Sequence, residues 1–216
     1  MADIFQEVDE DIRRDKAVVL WRKYGIYAII ICVAIVVGTA SRVGWREYKA
    51  AQQSEESARY VVAAQLLKNG EAAAAITAFQ SLAAEASTGY SVIARFQAAA
   101  ARIDIGDKAG AATAYDLIAA DDTIDLIFRG LAKLQAVMLL INDGATADLT
   151  RRIDELVGEG SSWRYSGLEM QAILKLRDGD KAGARAGFKS LSEDAGVPEG
   201  IRNRAAQILL SLGGEG

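Results

Sequence analysis

The residue types that run most protein chemistry are almost missing from this sequence. Its 216 residues include no histidine, which removes His-activated nucleophiles and His metal ligation. The single thiol, Cys32, sits inside an apolar run. It has no partner within the chain and reads as a small packing residue. Two acids stand out by position, Asp107 and Asp180, each directly after a glycine. A carboxylate there is suited to cap the helix that follows. The adjacent pair Asp121-Asp122 reads as loop. No glycine cluster sits between a strand and a helix, where a phosphate cradle belongs. No catalytic residue, metal ligand set, cofactor or small-molecule substrate is expected, and the chain is not expected to be an enzyme. A net charge of −4 without a basic face argues against nucleic acid as a partner.

What the chain has instead is repetition. The hexapeptide GDKAGA occurs at Gly106–Ala111 and again at Gly179–Ala184. The fifth, ninth and twelfth positions after Gly106 are Ala111, Tyr115 and Ile118. The same steps from Gly179 give Ala184, Phe188 and Leu191, and from Gly70 they give Ala75, Phe79 and Leu82. Gly144 yields a degenerate copy, Leu149, Ile153 and Leu156. At the seventh position before each glycine stands a small or β-branched residue: Ala63, Ala99, Val137, Ala172. The four glycines recur at nearly equal intervals, and the two hexapeptides stand two periods apart.

A glycine between helical runs ends the first run because it reaches φ > 0 cheaply. Positions +5, +9 and +12 share one helical face, and the small residue at −7 lets the two helices approach. A helix–turn–helix unit with a period near 34 is the tetratricopeptide pattern. Abundant alanine and a single proline, Pro198, favour long helices. The expected fold class is all-α: one N-terminal transmembrane helix, then a divergent tetratricopeptide-like solenoid. Pro198 suits the first turn of a last helix. That helix carries Ile201, Ala205, Ile208, Leu209 and Leu212 on one face and covers the solenoid end.

Residues 24–41 contain no charge. A helix of that length covers roughly 27 Å, near the ~30 Å of a bilayer core. Trp21, Tyr24 and Tyr27 stand at one end of the run, Trp45 and Tyr48 at the other, as in interfacial aromatic belts. A cleaved signal peptide is the competing reading, and Gly38-Thr39-Ala40 loosely fits a cleavage site. The leader ahead of the run is long and holds six acids, which favours an uncleaved anchor over 24–44. Five Lys/Arg precede the span and four follow it closely, which leans towards the N-terminus inside. Ala34 and Gly38 form a small-xxx-small pair that suits helix packing in a membrane. Residues 1–23 read as an amphipathic helix with Ile4, Phe5, Val8 and Ile12 on one face. The remaining domain is 50–216.

The segment EVDEDIRRDKAVVLWRKYG, then one span, then divergent repeats resembles the bacterial ancillary subunit of the Sec translocon and its relatives. That resemblance implies a single-pass protein of the bacterial inner (plasma) membrane, its N-terminus cytoplasmic and its repeats periplasmic. It implies protein partners: Sec translocon subunits, periplasmic chaperones or secreted chains emerging from the translocon. Low aromatic content and the lost repeat consensus depart from the pattern and leave the partner surface undefined. A structural scaffold in envelope assembly or cell division is the alternative function.

First helices of such units line the concave face of a solenoid. The apolar positions there name Tyr60, Phe96, Ile103, Leu131, Leu134, Met138 and Ile173 as candidate partner-binding residues. The same pattern fits residues buried by neighbouring helices, so groove and core both stay open.

Overall fold

A computed structural model describes residues 3–213. Among them are nine helices and no strand: α1 (Asp3–Lys68), α2 (Ala72–Glu85), α3 (Thr88–Asp104), α4 (Lys108–Ala120), α5 (Leu126–Leu140), α6 (Thr146–Val157), α7 (Arg164–Arg177), α8 (Lys181–Glu193) and α9 (Glu199–Ser211). The chain divides into two compact units, one up to Glu55 and one from Glu56 onward.

In the first unit the backbone is helical from Asp3. The side chains of Ile4, Phe5, Val8 and Ile12 lie outside the described residues. One helix here is long and apolar enough to cross a membrane, with a window of mean hydropathy 2.2. Its described large apolar side chains, from Val18 to Tyr48, are exposed. The polar group of Thr39 is satisfied inside the helix, its hydroxyl donating to the Ile35 and Val36 carbonyls at 2.8 and 2.9 Å. An apolar medium requires that kind of internal satisfaction.

In the second unit the end of α1 pairs with α2, α3 with α4, α5 with α6, and α7 with α8. Four apolar clusters follow, each shared by one pair and the next helix. Ala63, Phe79, Leu82 and Ala98 join α1, α2 and α3. Ala99, Tyr115, Ile118 and Ala136 join α3, α4 and α5. Val137, Leu149, Ile153 and Met170 join α5, α6 and α7. Ala172, Phe188, Leu191 and Ala205 join α7, α8 and α9. Every residue expected at +5, +9 and +12, and all four at −7, is buried. Each second helix is therefore the filling between two first helices, as nearest-neighbour stacking requires.

The repeated hexapeptide is the joint of this stack. Gly106 and Gly179 adopt φ of 80° and 87°, and Gly70 adopts 81°. At each, the glycine N–H and the next N–H turn back onto helix carbonyls: Gly106 N to Ile103 O and Asp107 N to Arg102 O, both 2.9 Å. The matching bonds at Gly179 run to Leu176 and Lys175, and at Gly70 to Leu67 and Leu66. This is the Schellman closure. The next residue caps the following helix, as expected: Asp107 accepts from Gly110 N and Asp180 from Gly183 N. The inner glycine has its own reason. A Cβ on Gly110 would lie 2.0 Å from the Asp107 carboxylate, and one on Gly183 2.1 Å from Asp180. Turn glycine, cap acid, cap-accommodating glycine and buried alanine thus fill four of the six positions.

Gly144 departs from this plan, since its φ is not positive. The chain leaves α5 through a longer turn, in which Gly144 N donates to Leu140 O at 2.7 Å. The carbonyls left over are taken by the next repeat. Arg177 Nη1 donates to Ile141 O at 2.9 Å and to Gly144 O at 2.8 Å, and Arg177 Nη2 to Thr146 Oγ1 at 2.6 Å. A guanidinium replaces the left-handed glycine here. Pro198 precedes α9 as its cap residue, one position earlier than the expected first turn.

Candidate protein-interaction surface

The candidate residues separate on burial. Tyr60 is half-buried, its ring 5.5 Å from that of Phe79 and its hydroxyl accepting from Gln97 Nε2 at 2.9 Å. Phe96 is half-buried against Tyr115, ring centroids 5.9 Å apart. Leu131 is half-buried, and Ile173 packs into two clusters at once. Leu134 is a core residue, 7% exposed and packed with Val137 and Leu149. It belongs to the cluster that α5 shares with α6 and α7. Ile103 and Met138 point outward, 39% and 49% exposed. Ile93, near the start of the same first helix as Ile103, is exposed with them. Of the proposed stripe, Ile103 and Met138 are open, Tyr60, Phe96, Leu131 and Ile173 are partly covered, and Leu134 is closed. In the other unit Ala34 and Gly38 are exposed, and a Cβ on Gly38 would meet nothing within 4 Å.

The charges around this surface serve the stack. Arg95 Nη1 donates to Asp121 Oδ2 at 2.6 Å, and Thr123 also bonds the Asp121 carboxylate. The Arg95 bond and then the Thr123 bonds hold Asp121 down at about 2. Asp148 is lowered by Arg152 and then Arg151. Asp178 is lowered by Arg177 and Thr146, and Glu85 by Arg59 and Ser81. Exposed pairs of this kind add little stability each, because solvent screens them. A cleft of about 260 Å³ between α4, α5 and α6 is lined by Asp116, Lys133, Arg151, Arg152 and Glu155. Its three cations and two carboxylates pair with one another, and Arg151 and Arg152 pair also with Asp148 beside it, so each charge there already has a partner. Among the described residues no group of three or more His, Cys, Asp or Glu side chains is placed to hold a metal ion.

Some structural residues carry no local sequence signal. Glu169 is buried and makes a bidentate pair with Arg204 at 2.8 Å for both bonds. Glu56 is buried and accepts from Ser87 N and Oγ at the start of α3. Trp163 Nε1 donates to Ile127 O at 2.8 Å, with its ring over Gly130, where a Cβ would come within 2.2 Å. Many of these partners stand about one period apart: 36 residues for Trp163 and Ile127, 36 for Arg152 and Asp116, 35 for Arg204 and Glu169. The period was the available signal. The period brings groups about 35 residues apart side by side, while other pairs, such as Arg95 with Asp121, close at 26.

No curated protein and no solved structure matches the chain. The tetratricopeptide repeat-like domain matches residues 19–209, from inside the apolar helix nearly to the end of α9. Repeats of this kind are protein-binding scaffolds, and that is the general role the fold carries. With four helix pairs, glycine joints and shared cores in place, the chain belongs to the tetratricopeptide repeat-like domain family.

Proposed function

We propose that this protein is a membrane-tethered module that binds other proteins as an accessory of the Sec translocon, linking it to periplasmic chaperones or emerging chains. Residues 24–44 anchor it in the bacterial inner membrane, with the N-terminus in the cytoplasm and the repeats in the periplasm. The observation that carries the reading is the exposed apolar set on the first helices of the repeat scaffold, Ile93, Ile103 and Met138. They stand 13 and 3 positions before Gly106 and 6 before Gly144, and each offers a partner apolar area to bury. The translocon as partner rests on the resemblance of residues 7–25 and of the overall layout to that family's ancillary subunit.

The test is co-purification from native membranes in mild detergent, with the full-length protein as bait. Translocon subunits are expected with the wild type and lost with the Ile103→Ser/Met138→Ser pair. That pair keeps its melting temperature, because exposed substitutions move stability by only about ±0.5 kcal/mol. Leu134→Ser is the contrast: it loses a buried side chain, costs about 2–5 kcal/mol and damages the fold along with binding. Undiminished capture by the double variant retires the stripe. Capture of division or outer-membrane assembly proteins in place of translocon subunits turns the reading to the scaffold function.

A further inference from the structure

Helix α9 has the layout of a first helix. Gly213 adopts φ of 83° and follows Gly179 by one more period, and its N–H donates to Leu210 O at 3.3 Å. The positive φ and this first bond match those at Gly70, Gly106 and Gly179. At the eighth and twelfth positions before Gly213 are Ala205 and Ile201, both buried with Phe188 and Leu191 of α8. The same offsets before Gly106 give Ala98 and Ala94, buried with Phe79 and Leu82 of α2. So α9 docks on the preceding second helix as α3 does.

The other face differs. At the seventh position before Gly213 is Ala206, in the place of Ala63, Ala99, Val137 and Ala172. Each of those four is buried in a cluster with its own second helix. Ala206 is exposed, and Leu210, one turn on, is 81% exposed. A cleft of about 400 Å³ runs between α8 and α9, lined by Ala206, Leu209 and Leu210 on one side and by Arg185, Lys189, Ser192 and Glu193 on the other. It lies where the second helix of a fifth unit belongs. The expectation that α9 finishes the solenoid thus holds for one of its faces only.

We propose that this cleft docks one amphipathic helix of a partner protein, which completes the fifth unit. The place beside one second helix and the next first helix is filled three times within the chain, by α4, α6 and α8, so the occupant's face can be stated. It presents a small residue at i, an aromatic at i+4 and an aliphatic at i+7, as Ala75, Phe79 and Leu82 do. Its charge can be stated as well. Lys189 is the tenth residue after Gly179, as Asp116 is the tenth after Gly106. Asp116 pairs with Arg152, the eighth residue after its own turn glycine on the next second helix. With Lys189 in the Asp116 place, the docked helix carries Glu or Asp at i+3. A second copy of this chain is a poor occupant. Its second helices already bury that face in their own units, and its α9 carries no aromatic residue to fill the place that Phe79 fills in α2. This face is separate from the first-helix stripe and stands whether or not the stripe binds.

The probe is a fluorescein-labelled peptide of residues 71–86 with Ala78→Glu, which sets the new carboxylate on the face of Ala75, Phe79 and Leu82. Its control carries Ala78→Lys. Fluorescence anisotropy with the full-length protein in detergent is expected to show saturable binding of the acidic peptide, weakened at least tenfold by Ala206→Glu. Leu210→Lys is the second variant, should Ala206→Glu lower the helix content. Lys189→Glu is expected to invert the preference between the two peptides. The proposal is overturned by an absence of saturable binding, by binding that ignores Ala206→Glu and Leu210→Lys, or by a self-associated protein that Ala206→Glu dissociates in light scattering.

Discussion

The glycine at the fifth position of GDKAGA sets two helix terms against each other at one residue. Replacing an interior helical Gly by Ala favours the helix by about 1 kcal/mol. Here the added Cβ would fall 2.0 Å from Asp107 Oδ2 and 2.7 Å from its Cγ. The carboxylate must swing away and give up its 2.9 Å bond to Gly110 N, and losing such a cap costs about 1 kcal/mol. Gly110→Ala is therefore expected to leave stability nearly unchanged, within about 0.5 kcal/mol, because the two terms oppose. Asp107→Ala alone costs about 1 kcal/mol. In the Asp107→Ala background, Gly110→Ala has nothing to displace and gains about 1 kcal/mol. The double-mutant cycle then shows a coupling of about 1 kcal/mol. Gly183→Ala with Asp180→Ala repeats the experiment in a second copy, where the bond is 2.8 Å and the clash 2.1 Å. The assay is urea unfolding of residues 50–216, followed by circular dichroism and by Trp163, the one tryptophan in that fragment. A Gly110→Ala variant that gains the full ~1 kcal/mol with Asp107 present refutes the argument, since the cap would then tolerate a Cβ.

Acid should loosen the repeats in a defined window. A carboxylate held below its ordinary value stabilises above that value and stops doing so as pH falls through the folded one. For Asp121 those values are 3.8 and about 2, and Asp148, Asp178 and Glu85 are lowered too. The melting temperature is expected to hold from pH ~7 to ~5 and to fall between pH ~4 and ~2. Arg95→Met should return the Asp121 titration, read by NMR, towards its ordinary value. For the anchor, protease added to spheroplasts should digest the chain beyond about residue 50 and spare an N-terminal tag, whereas a mature protein beginning near Ser41 would refute an uncleaved span.

The stacking was legible in the sequence because its determinants are local and periodic. A turn glycine, a small residue at −7 and apolar residues at +5, +9 and +12 recur at one spacing, and each is buried where the period puts it. The caps at Asp107 and Asp180 were legible for the same reason. The candidate surface was harder to read. Leu134 and Met138 stand one helical turn apart on α5, and both are large and apolar. Only the placement of α6 and α7 decides that one is core and the other open. Glu56 and Glu169 are acids on helices, indistinguishable by type from solvated ones. Their burial depends on Ser87 and Arg204, which the fold brings in from 31 and 35 residues away. Gly144 kept its place in the spacing and lost its conformation: of the two carbonyls a left-handed turn would close, Leu140 O accepts from Gly144 N and Ile141 O accepts from Arg177.

The two identical joints have a consequence for how this molecule changes length over generations. A crossover between the two GDKAGA segments removes or duplicates two whole units. It leaves the reading of every remaining helix intact, because the seam regenerates itself. In the shortened product Ala99 of α3 meets Ala184 and Phe188 of α8, whose neighbour in the full chain is Ala172. Alanine replaces alanine there, while Leu168 and Ile173, which also pack against α8, give way to Arg95 and Ala100, so the seam holds and its flanks must repack. The inner glycine and the cap acid travel together in one six-residue word, and no recombinant can inherit one without the other. The number of units is thus the easiest property of this protein to vary, and the reach of its binding surface varies with it.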